Sequence, residues 1–95
     1  MTQRTMWTIT KDLTDGCGEP SAEGVVGPSG ATLSAPEIMR HPKAKDFRMY
    51  DDDGVLYYEG TLLGNNEFAP LDDFGEPNAG CTRIDVLENG KWVTV

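Results

Sequence analysis

Two turns constrain this chain more than any other feature in it. Asp53-Gly54 and Asn89-Gly90 each stand between two runs of alternating apolar and polar residues. An Asx-Gly pair suits a two-residue hairpin turn, because type I′ geometry needs positive φ at both central positions. Each therefore predicts a pair of antiparallel strands. The first turn sets Asp52 against Val55, Tyr50 against Tyr57, Met49 against Tyr58, Arg48 against Glu59 and Phe47 against Gly60. One face then carries Phe47, Met49, Leu56, Tyr58 and Leu62, and the other carries Tyr50, Tyr57 and the pair Arg48–Glu59. The second turn sets Glu88 against Lys91, Leu87 against Trp92, Val86 against Val93 and Ile84 against Val95. Ile84, Val86, Val93 and Val95 share one face. A one-residue slip would mix apolar with charged positions, so the pattern itself supports the register.

A lone hairpin is not stable in water, so both need partners. Trp7 to Leu13 alternates and is β-branched in part, which predicts a strand with Trp7 and Ile9 inward. Residues 14–33 are rich in Gly, Pro and Ser and read as a long loop with a short strand at Val25-Val26. Ser34-Ala35-Pro36-Glu37 has the form of a capped helix start, and Pro42 ends that helix within about two turns. Ile38 and Met39 are its expected buried residues. Residues 64–80, between the hairpins, read as a second irregular stretch. The expected fold is α+β. It is a small single domain with a mainly antiparallel sheet of about five strands and one short helix. The 95 residues support one core of that size.

Charge narrows the function. The chain carries 16 acids against 8 bases, net −8. That argues against direct binding of nucleic-acid phosphates or of an anionic membrane surface. No apolar run approaches the length of a membrane span, and the N-terminus lacks a secretory pattern, so the expected compartment is the cytoplasm. There Cys17 and Cys81 would stay reduced. The charge is also uneven. Residues 49–82 hold Asp51, Asp52, Asp53, Glu59, Glu67, Asp72, Asp73 and Glu76 and no Lys or Arg, whereas residues 40–48 hold Arg40, Lys43, Lys45 and Arg48 against Asp46 alone.

No motif points to catalysis, a cofactor or a metal. Asp51-Asp52-Asp53-Gly54 lacks the alternating ligands and closing Glu of a calcium loop and reads as a turn. Cys17, Cys81 and His41 show no CxxC or HxxxH spacing for zinc. His41 beside Pro42 reads as a surface residue at the helix end, not as the base of a cysteine nucleophile. The Gly-rich stretch lacks the ending of a phosphate loop.

The run Tyr57-Tyr58-Glu59-Gly60, then residues 70–82 (PLDDFGEPNAGCT), then Asn89-Gly90-Lys91-Trp92, resembles a group of small uncharacterised acidic proteins. These are carried by bacteria, actinobacteria especially, and by their phages and plasmids. The likeness covers roughly residues 46–95 and implies no particular activity. By size and charge alone the chain is also similar to anti-CRISPR and anti-restriction inhibitors, some of which imitate the charge of DNA. The expected function is accordingly that of a non-enzymatic acidic interaction protein. Asp51, Asp52, Asp53, Glu67, Asp72, Asp73 and Glu76 would meet a basic, nucleic-acid-binding partner. The alternative is a small accessory domain that forms a homodimer or binds a ligand through its sheet, with Tyr50, Tyr57, Leu87 and Trp92 on a face that needs cover. The two acidic groups would converge only in part, along one elongated side, with Arg40 to Arg48 near its far end.

Overall fold

The computed structural model describes residues 5–14, 22–28 and 30–95. Six antiparallel strands form one sheet in the order β2-β1-β4-β3-β5-β6. β1 is Met6–Asp12, β2 Val26–Gly27, β3 Lys45–Tyr50, β4 Leu56–Leu63, β5 Arg83–Glu88 and β6 Lys91–Thr94. The count exceeds the expected five because the short strand foreseen in the first loop forms, one residue late. The Cα radius of gyration is 12.5 Å, against about 12 Å for a single compact domain of this length.

The second hairpin forms as its turn residues require. Asn89 (φ 51) and Gly90 (φ 80) are both left-handed, and Glu88 faces Lys91, Leu87 faces Trp92 and Val86 faces Val93. In the first hairpin the turn moves by one residue. Gly54 has φ 79, but Asn89 is the one non-glycine residue with positive φ among those described. The turn therefore centres on Asp52-Asp53, closed by Gly54 N–H to Asp51 O at 3.1 Å. Its cause is the Asp51 carboxylate, which accepts from Asp53 N–H at 2.9 Å and Val55 N–H at 2.8 Å and so organises a three-residue loop. The extra residue is absorbed by a bulge: Tyr50 faces Leu56, while Met49–Tyr58, Arg48–Glu59 and Phe47–Gly60 pair as expected.

β1 pairs with β4 and carries Trp7 and Ile9 into the core. A second bulge, at Thr10, reverses its phase. Lys11 then faces Glu59 and Asp12 faces Tyr58, so Lys11 and Leu13 leave the core side and Leu13 is 45% exposed. Asp12 instead clamps the loop that follows, accepting from Thr14 N–H at 2.9 Å and Ala22 N–H at 2.8 Å.

Residues 64–80 are not irregular throughout. Leu71–Gly75 forms a π-helical turn that runs into α2, Glu76–Ala79; α1 is Ala35–Arg40. The wide turn precedes Pro77, which has no N–H to donate to a preceding turn, and Glu76 N–H reaches Leu71 O. Gly80 (φ 68) ends the helix and donates to Glu76 O. The segment's apolar residues Leu71, Phe74, Gly75 and Ala79 share one side at helical spacing and cover the sheet's core face. Phe74 packs on Trp7 and Tyr58, with ring centroids 5.5 and 5.2 Å apart. Trp7 Nε1–H donates to Asp73 at 3.0 Å.

α1 packs on β1 and β4 from the other face. Its capping box is complete: Glu37 N–H donates to Ser34 Oγ, and Ser34 N–H donates to Glu37 Oε1. Ile38 is fully buried, whereas Met39, expected to be buried, is 52% exposed. A six-residue helix presents one narrow stripe to the sheet, and Ile38 occupies it. Among the described residues no helix is long and apolar enough to cross a membrane.

Candidate functional site

The seven carboxylates singled out in the sequence follow one path over the molecule. Glu67 lies just after β4, at the end of the sheet away from the β3–β4 turn. Asp72, Asp73 and Glu76 stand on the helical cover. The cover rejoins the sheet beside the turn that carries Asp51, Asp52 and Asp53, where Thr82 N–H donates to Tyr50 O at 2.9 Å. The loop thus folds back along the sheet. Lys45 begins β3 at the opposite end, about 17 Å from the turn by strand rise. Arg40 and Lys43 precede it, and Arg48 lies in mid-strand.

These acids are not equivalent. Asp51 is engaged in its own turn, and the N–H groups of Val55, Asp53 and Gly54, with the Tyr57 hydroxyl, hold its carboxyl below the usual range. Glu67 meets Lys45 Nζ at 3.1 Å, and the same ammonium meets Glu88 at 2.9 Å. Asp73 accepts from Trp7. Glu59, outside the seven, meets Arg48 at 3.3 Å. That leaves Asp52, Asp53, Asp72 and Glu76, all exposed, whose carboxylates make no ion pair or hydrogen bond among the described residues. The surface available to a partner is therefore narrower than the acidic composition suggests. Asp51 is taken up by its own turn, but Glu67 and Asp73 are taken up by partners 22 and 66 residues away, which no local signal could have shown.

The second face of the sheet carries Tyr50, Leu87 and Trp92; Tyr57, expected there opposite Tyr50, packs against the core cluster instead, because the bulge beside the turn sets Leu56 opposite Tyr50. Two arginines lie on its aromatic rings. Arg48 Cζ sits 4.1 Å from the Trp92 ring centroid and Arg83 Cζ 4.0 Å from that of Tyr50. Each is oriented by a carboxylate: Glu59 for Arg48, and Asp85, 3.2 Å away, for Arg83. Stacked, paired guanidinium groups supply much of the cover that this face needs. A shallow depression of about 330 Å³ remains between Met39 and Trp92. Its polar walls are already paired as Arg48–Glu59 and Asp46–Thr61.

The nucleophile and base considered in the sequence do not meet. Cys81 is fully buried under the cover beside the turn, and burial, with Asp51 adding, pushes its thiol up to about 11. His41 lies past α1 at the opposite end of β3, where Nδ1 accepts from Lys43 N–H. Cys17 lies outside the described residues. Among those described, no three His, Cys, Asp or Glu side chains group as metal ligands would. No protein-family model matches the chain, and neither a curated protein nor a solved structure is similar to it.

Proposed function

We propose that this protein is a non-enzymatic acidic interaction protein that presents carboxylates to the basic groove of a nucleic-acid-binding protein. It would act there as an inhibitor of the anti-defence type carried by phages and mobile elements, in the cytoplasm. The observation that carries the reading is the set of four exposed, unpaired carboxylates, Asp52, Asp53, Asp72 and Glu76. They lie on the cover and on the turn that the cover reaches. An elongated arrangement suits a groove built for a strip of phosphates better than it suits one ion. Opposed charge speeds encounter, and exposed charges more than about 8 Å apart are screened at physiological ionic strength. Binding should therefore weaken steeply with salt.

The test uses the intact chain as bait in lysates of bacteria that carry CRISPR or restriction systems. Captured proteins should be nucleic-acid binders, should be displaced by added duplex DNA or by RNA, and should be lost when Asp52, Asp53, Asp72 and Glu76 are changed together to Asn and Gln. Capture that survives both the competitor and the neutralised variant would refute the reading.

A further inference from the structure

The two edges of the sheet are finished differently. β2 is two residues long and is followed by Pro28, which has no N–H to offer a neighbouring strand. Short strands and prolines are how sheets prevent edge-to-edge pairing. β6, at the other edge, is four residues long and has neither proline nor bulge; all four residues are exposed. Two of the exposed large apolar residues fall on this strand, Trp92 at 37% and Val93 at 45%, and a third, Val95 at 36%, follows it directly.

The register states which backbone groups are free. Val93 faces Val86, Lys91 faces Glu88 beside the turn, and Val95 N–H donates to Ile84 O at 3.1 Å. Lys91, Val93 and Val95 therefore bond inward to β5, and the N–H and C=O groups of Trp92 and Thr94 point outward. Charge favours one occupant. The free carboxylates lie on the cover and the β3–β4 turn. β6 carries only Lys91, and its neighbour Glu88 is paired with Lys45. On a chain of net charge −8, this edge presents no unpaired carboxylate side chain to a second copy.

We propose that β6 pairs antiparallel with β6 of a second copy of this chain, about a two-fold axis at Val93. Trp92 then faces the partner's Thr94, and Thr94 the partner's Trp92, each exchanging both backbone hydrogen bonds, four in all. Val93 meets its own copy across the axis. Lys91 faces the partner's Val95, which keeps the two lysines about 14 Å apart, four residues of strand rise. The product is a continuous twelve-stranded sheet. It leaves the acidic surface open, so this proposal stands or falls separately from the functional reading.

The test is the mass of the intact protein by light scattering or sedimentation over a concentration series, with amide hydrogen exchange on the same samples. The mass should double with concentration. As it does, the Trp92 and Thr94 amides should gain protection, while those of Lys91 and Val93 are protected throughout. Val93→Lys sets two ammonium groups against each other at the axis and should return the protein to monomer with an unchanged circular dichroism spectrum. Thr94→Pro removes one outward donor and no backbone bond to β5, and should do the same; it also loses the Thr94 Oγ1–H bond to Asp85 Oδ1 (2.8 Å), so Thr94→Val, which loses only that bond, should remain dimeric. A mass that stays monomeric at every concentration overturns the proposal. So does a dimer whose Trp92 and Thr94 amides remain unprotected, or one that survives Val93→Lys.

Discussion

At Gly60 the sheet has no room for a β-carbon. One built there would stand 2.2 Å from the Thr8 carbonyl oxygen and 2.4 Å from Phe47 Cζ. The first is backbone, and the second belongs to a fully buried ring, so neither gives way cheaply. Gly60→Ala is expected to destabilise the fold by about 1–3 kcal/mol, read as a lower urea midpoint at unchanged m-value. Cys81 makes a second prediction at this scale. Burial, and then Asp51, raise its thiol from an ordinary 9.0 to about 11. In the folded state it holds its proton where the unfolded chain has lost it, so its contribution is complete below pH 9 and disappears as pH rises to about 11. Denaturant midpoints should fall over that window less steeply for Cys81→Ala than for the unaltered protein. Iodoacetamide at neutral pH should label Cys81 only after denaturant is added, as mass spectrometry of the peptide that contains it will show.

Among the elements, the helical cover is tied to β1 by the Trp7 indole on Asp73, and the first loop by a carboxylate that bridges backbone groups. Asp12 closes the loop from Thr14 to Ala22. Burial tends to raise its carboxyl, but hydrogen bonds from Thr14 and Ala22 outweigh that and hold it below its ordinary 3.8. A depressed carboxyl stabilises the fold above its unfolded value, and that contribution is lost as pH falls through the folded one. Asp12→Ala should cost about 1–3 kcal/mol near neutrality, the range for a hydrogen-bonded charge. The difference in stability between variant and parent should hold down to the ordinary value of 3.8 and shrink only below it, as pH falls through the lower folded value.

For the whole molecule, the balance of charge is the main variable. Net charge −8 repels itself, and Asp52, Asp53, Asp72 and Glu76 add repulsion without a compensating partner. Changing all four to amides halves the net charge and removes no ion pair or side-chain hydrogen bond between described residues. The variant should fold normally and melt at a higher temperature than the parent in dilute buffer. The gap should close as salt is added, because screening relieves the parent's repulsion as well. A variant that melts lower at every ionic strength would show that these acids are structural. That outcome would remove the basis for treating them as a binding surface.

Much of the fold was legible because its signals are local. Both hairpins, the pairing of Phe47 with Gly60 and of Val86 with Val93, and the Ser34–Glu37 capping box rest on residues a few positions apart, whose backbone preferences act before any tertiary contact forms. Where local reading failed, a competing interaction displaced it. The Asp51 carboxylate shifted the first turn, a bulge at Thr10 reversed the phase of β1, and the Pro and Gly content of 70–80 masked the helical spacing of Leu71, Phe74, Gly75 and Ala79. The acidic surface was visible as composition only. Which acids stay free depends on Trp7 reaching Asp73 across 66 residues, and on Lys45 reaching Glu67 and Glu88 across 22 and 43. Composition and spacing determined that this would be an acidic sheet protein with two tight hairpins. The strand order, the helical cover and the set of unpaired carboxylates were decided by tertiary structure, because an ion pair or a hydrogen bond depends on distance in space and leaves no mark on sequence spacing.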